Sequence, residues 1–64
     1  MKEKMLAYLQ NLMDDFMQEK ALYGNDDRIV AKKLDALIAC KEMTEALIGE
    51  PINLQMNGKV TIGF

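Results

Sequence analysis

Ile52-Asn53-Leu54-Gln55-Met56-Asn57-Gly58-Lys59-Val60-Thr61-Ile62 is the stretch that decides the fold. Apolar and polar side chains alternate around Asn57-Gly58, a period of two, so the segment is expected to form a β-hairpin. Asn57-Gly58 first suggests a two-residue type I′ turn. That register would set Met56 against Lys59, Leu54 against Thr61 and Ile52 against Gly63, apolar against polar throughout. A three-residue loop, Met56-Asn57-Gly58, with Gly58 in the left-handed position of a G1 bulge, resolves the conflict. It pairs Gln55 with Lys59, Leu54 with Val60, Asn53 with Thr61 and Ile52 with Ile62. One face then carries Ile52, Leu54, Val60, Ile62 and Phe64, and the other is polar. A one-residue slip would exchange the faces, so this register is the expected one. A two-stranded hairpin is barely stable alone; its apolar face must lie on helices or its edge must pair elsewhere.

Upstream the apolar period changes from two to 3.6, and the switch falls at Gly49-Glu50-Pro51. Gly just past a helix end and Pro two residues beyond form a strong stop signal. The helix before it is predicted over about residues 27–48 and carries two apolar stripes. Val30, Leu34, Leu37 and Ile38 form the first, which Lys41 and Glu45 interrupt. Ile29, Ala36, Cys40, Met43 and Leu47 form the second, about 100° further round. One stripe can face a neighbouring helix; the other requires the hairpin or another subunit.

A first helix is predicted over about residues 2–23. Met5, Leu9, Leu12, Phe16 and Tyr23 recur at three- and four-residue steps, and Leu6, Met13 and Met17 widen the stripe to roughly 140–180°. Glu3, Gln10, Asn11, Asp14, Asp15 and Gln18 occupy the opposite side. Gly24 suits the left-handed residue after a helix, and Asn25 or Asp26 is placed to cap the next one, with the acidic pair Asp26-Asp27 favourable at its N-terminus. So short a connection makes the two helices antiparallel neighbours of matched length, roughly 33 Å each.

Sixty-four residues make at most one domain, 1–64, in the size range where a single core is marginal. Small proteins compensate with disulfides, a metal or a partner chain. One cysteine cannot form an internal disulfide, and the absence of histidine removes the usual zinc sets, so a partner chain is expected and a homodimer or higher homo-oligomer is the simplest form of it. Eight basic and ten acidic residues give a net charge of −2, spread without blocks of one sign. No electrostatic footprint for nucleic acid or an anionic membrane results. No apolar run approaches a membrane span, and the polar residues Gln10, Asn11, Asp14 and Asp15 break up any leader-like segment. A lone thiol with no leader points to a cytoplasmic location.

Chemistry is hard to build from these residues. Cys40 lies within an apolar stripe and has no histidine to act as its base. Asp14 and Asp15 are adjacent on a helix and point about 100° apart, so they do not converge on one ion, and Asp26-Asp27 is explained by capping. Gly58-Lys59 follows no phosphate-loop pattern. The six methionines suit either flexible core filling or an adaptable binding face. No catalytic residue, cofactor or metal is therefore expected.

Ala31-Lys32-Lys33-Leu34-Asp35-Ala36-Leu37-Ile38, on the second arm of a helical hairpin, resembles the signature of small sporulation aspartyl-phosphate phosphatases, which carry Ser-Gln-Glu-Leu-Asp there. Leu34 and Asp35 match; Ala31, Lys32 and Lys33 depart from the pattern, and that family would not imply a C-terminal β-hairpin. Membership is not assigned.

The expectation is thus an α+β fold, a long antiparallel αα-hairpin followed by a C-terminal β-hairpin (about residues 52–63), assembled as a dimer. Its expected role is that of a small non-enzymatic interaction or regulatory protein using an apolar helical face or a sheet edge toward an unidentified protein partner. The alternative is an oligomeric small-ligand-binding protein with a pocket between subunits. Leu9, Met13, Phe16, Met17, Cys40, Met43 and Leu47 make up the candidate interaction face.

Overall fold

The structure is a computed structural model and describes residues 2–24 and 26–63. Four elements follow in chain order: α1 (Lys2–Tyr23), α2 (Arg28–Ile48), β1 (Ile52–Leu54) and β2 (Val60–Ile62). The architecture is α+β, with α1 and α2 packed as a helical hairpin and the strands forming an antiparallel two-stranded sheet.

Local chemistry sets the helix ends. Gly24 adopts φ 79° and donates its N–H to the Lys20 carbonyl at 2.9 Å, closing α1 in a conformation that a Cβ would strain. α2 is capped by Asp27, not by Asn25 or Asp26 as expected. Its extended backbone lets the carboxylate accept the Ile29 N–H at 2.7 Å, the second amide of the helix. Asn25 lies outside the described residues. α2 finishes at Gly49, whose left-handed backbone returns an N–H to the Glu45 carbonyl at 2.9 Å.

The strand register is Ile52↔Ile62, Asn53↔Thr61 and Leu54↔Val60, as the alternation requires. The loop is the G1-bulged one. Gly58, at φ 89°, donates to the Gln55 carbonyl at 3.0 Å while Gln55 N–H donates to the Lys59 carbonyl at 2.9 Å. Asn57 earns its place by accepting the Lys59 N–H on its side-chain oxygen at 3.1 Å. Phe64, expected on the inner face, lies outside the described residues.

Leu9, Met13 and Phe16 of α1, Val30 and Leu37 of α2 and Ile52 of β1 form the core. Leu6, Leu12, Met17, Cys40, Ile48, Leu54 and Val60 pack around it, half-buried. Thr44 is also buried, because it continues the line Val30-Leu37-Thr44 at seven-residue steps, the line that faces α1.

Two polar side chains fasten the sheet. The Gln10 carboxamide of α1 donates to the Gly58 carbonyl at 2.7 Å and accepts the Val60 N–H at 3.0 Å, completing rungs that the outer edge of β2 would otherwise lack. The Glu45 carboxylate of α2 accepts the Ile52 N–H of β1 at 2.7 Å and the Lys41 ammonium at 3.1 Å. The hairpin therefore lies over one side of the helical pair, held to both helices.

Candidate functional site

On α2, residues 34, 38, 41, 45 and 48 lie to one side of the Val30-Leu37-Thr44 line, and residues 29, 33, 36, 40, 43 and 47 to the other. Glu45 holds the sheet on the first side, so the second side, hereafter the back face, has no covering element among the described residues. Met43 and Leu47 are 66% exposed there, and Tyr8 of α1 is 59% exposed beside them. Met5, Tyr8, Cys40, Met43 and Leu47 line an open groove of about 270 Å³, with Thr44 and the Lys4 stem completing it. Met5 and Leu47 continue into a depression of about 380 Å³ that ends at Lys2 and Glu50, themselves an ion pair.

The sheet side carries a smaller groove of about 220 Å³. Met13, Phe16 and Met17 form one wall, Leu34 and Leu37 another, and Leu54 to Met56 the third. The Lys20 ammonium sits 6.0 Å above the Phe16 ring at its rim. Every methionine among the described residues lines one of these depressions. Thioether side chains are unbranched and polarizable, so such walls can adapt to a contacting surface.

Several ionisable groups are engaged with one another. Lys33 donates to Asp15 at 2.7 Å and to Glu19 at 3.1 Å. The hydrogen bond to Asp15 does most to hold its pKa above the ordinary 10.5; desolvation opposes it, and the hydrogen bond to Glu19 and the charges of both acids add to the rise. Asp14 accepts from Gln10 at 3.0 Å, so Asp14 and Asp15 are drawn to opposite sides of α1. The Ile52 amide, followed by Lys41, holds the Glu45 carboxyl below its ordinary 4.5. Among the described residues no cluster of three or more His, Cys, Asp or Glu side chains is placed to share a metal ion.

The structure divides the seven residues expected to form an interaction face. Leu9, Met13 and Phe16 are buried in the core, Met13 and Phe16 reaching only the floor of the sheet-side groove; Met13 in particular lies on the inner line of α1 and is not an exposed position. Met17 and Cys40 are half-buried on opposite sides of the helical pair. Met43 and Leu47 stand on the back face. Tyr8 escaped notice in the sequence, although Met5, Tyr8 and Leu12 repeat at three- and four-residue steps and would have shown a second stripe on α1.

No family model, characterised protein or solved structure matches this chain. No described helix is long and apolar enough to cross a membrane.

Proposed function

We propose that this chain is a small non-enzymatic interaction protein that works as a homo-oligomer and engages protein surfaces through the apolar sides of its helical hairpin. One observation carries this reading: Tyr8, Met43 and Leu47 stay largely exposed on a contiguous apolar face although the chain's own hairpin was available to cover it. A contiguous exposed apolar patch of this kind marks an interaction site, and helical grooves are common docking geometries. Asp27 serves as a cap, Lys33, Asp15 and Glu19 as an ion-pair cluster, and Gln10 and Glu45 as sheet fasteners, roles in structure and not in chemistry.

The test is a Met43→Glu/Leu47→Glu variant compared with the parent chain by light scattering and circular dichroism. The parent should show a mass of twice 7.3 kDa or a higher multiple. The variant should fall to a single chain mass with its helicity unchanged. A parent that stays monomeric at high micromolar concentration, with a melting temperature independent of concentration, would overturn self-association. A stoichiometric small molecule retained in native mass spectrometry would replace this role with ligand binding between subunits.

A further inference from the structure

The back face is not uniform along its length. At the open end, where α1 begins and α2 finishes, it is apolar, with Met5 and Tyr8 beside Met43 and Leu47. Toward the interhelical loop Ile29 is still exposed, but charged groups join it, segregated by helix: Asp15 and Glu19 on α1, Lys33 on α2. We infer that the occupant of this face is a second copy of the chain, stacked about a two-fold axis parallel to the helices with both loops at the same end. This arrangement rests on the interaction role proposed above and specifies its partner.

Rotation about such an axis lays α1 of one copy on α2 of the other at the same level. Met5 and Tyr8 then meet the partner's Leu47 and the partner's Met43, so the exposed apolar section closes on its own kind. Lys33 meets the partner's Asp15 and the partner's Glu19, the same match it makes within its own chain. Every neighbouring helix pair in the resulting four-helix bundle is antiparallel, the arrangement that opposes helix dipoles. A two-fold axis perpendicular to the helices also gives antiparallel neighbours. It would, however, press the apolar end of each copy onto the charged section of the other, covering Lys33, Asp15 and Glu19 with Met43 and Leu47 and offering no new counter-charge. The confinement of Lys33, Asp15 and Glu19 to one end of the face selects the first axis.

The experiment uses the full chain with Cys40 intact, carrying a ketone-bearing non-natural residue in place of Asp26 that is spin-labelled at this exposed loop position and measured by pulsed dipolar spectroscopy alongside light scattering. The expected result is a doubled mass and an interlabel distance well short of the 34 Å length of the molecule. In parallel, Lys33→Glu in the otherwise native chain should weaken association at least tenfold at low salt. Mixing it with an Asp15→Lys/Glu19→Lys chain should restore dimers. A doubled mass with labels 34 Å or more apart would overturn the arrangement and leave the interaction role standing. A monomer that still captures another protein through Met43 and Leu47 would overturn the second copy as occupant, and self-association with it, while leaving protein binding through this face. A monomer indifferent to substitution at Met43 and Leu47 would remove both.

Discussion

The two sides of the helical hairpin are built from the same helices and treated differently. On the sheet side, polar residues are the fasteners: Gln10 and Glu45 satisfy strand amides and carbonyls, and Ile52, Leu54 and Val60 bury apolar surface beneath them. On the back, Tyr8, Met43 and Leu47 also present apolar surface, yet among the described residues nothing lies over them. Hydrophobicity alone does not decide which side the β-hairpin covers. Apolar burial is non-directional, whereas a carboxamide placed to meet Val60 N–H and Gly58 C=O is specific to one docking geometry.

The largest expected effect lies on the seam that both sides share. Leu37 is 1% exposed, and Leu37→Ala should cost about 2–5 kcal/mol in urea unfolding, loosening both sides together. The sharpest contrast pairs Leu54→Lys with Leu47→Lys, each assayed in dilute solution where association is absent. Leu54 is half-buried against the core, so its replacement should cost about 1–3 kcal/mol; Leu47→Lys should change stability by under about 0.5 kcal/mol. Equal losses at the two positions would mean that the back face is covered within the chain. Gln10→Ala should cost about 1 kcal/mol and accelerate hydrogen exchange at Val60 more than at Ala7 or Ala21.

Titration should separate the sides. The Glu45 carboxyl is held below 4.5 when folded, so its contribution is complete above that value and fades as pH falls through the lower folded pKa. Acid therefore loosens the sheet side, and the Ile52 amide resonance should titrate with a midpoint under 4.5 that Glu45→Gln abolishes. Lys33 behaves in mirror image. Its pKa is raised above 10.5, so its contribution holds below 10.5 and is lost as pH climbs through the raised value, which loosens the back face in alkali. The smallest effect is expected at Asn53, exposed on the outer sheet face, where Asn53→Lys should stay within about 0.5 kcal/mol.

Much of the fold was legible because local chemistry and periodicity agreed. Gly24, Gly49 and Pro51 mark ends that the backbone respects, and the alternation around Asn57-Gly58 admits one consistent pairing. The cap moved to Asp27 because only the geometry of the turn decides which of several neighbouring acceptors reaches the second helical amide. Thr44 was unreadable as a core residue by type, although its seven-residue spacing from Leu37 gave its position. Gln10 and Glu45 were hidden for a deeper reason. Amphipathic logic sends polar residues to water, and no periodicity within a helix encodes which strand will later lie across it. The same gap explains why Met13 looked available to a partner and Tyr8 did not.

The bond from Gln10 to Val60 joins residues 50 apart in the chain. The contacts between α1 and α2 across their short turn close far smaller loops, and small loops cost less entropy to close. We expect the helical pair to form first and the bulged turn to assemble locally. The carboxamide clasp should then appear only on the native side of the folding barrier. Substitution at Gln10 should consequently speed unfolding while leaving the refolding rate almost unchanged, so this single side chain governs how long the assembled molecule lasts and not how quickly it forms.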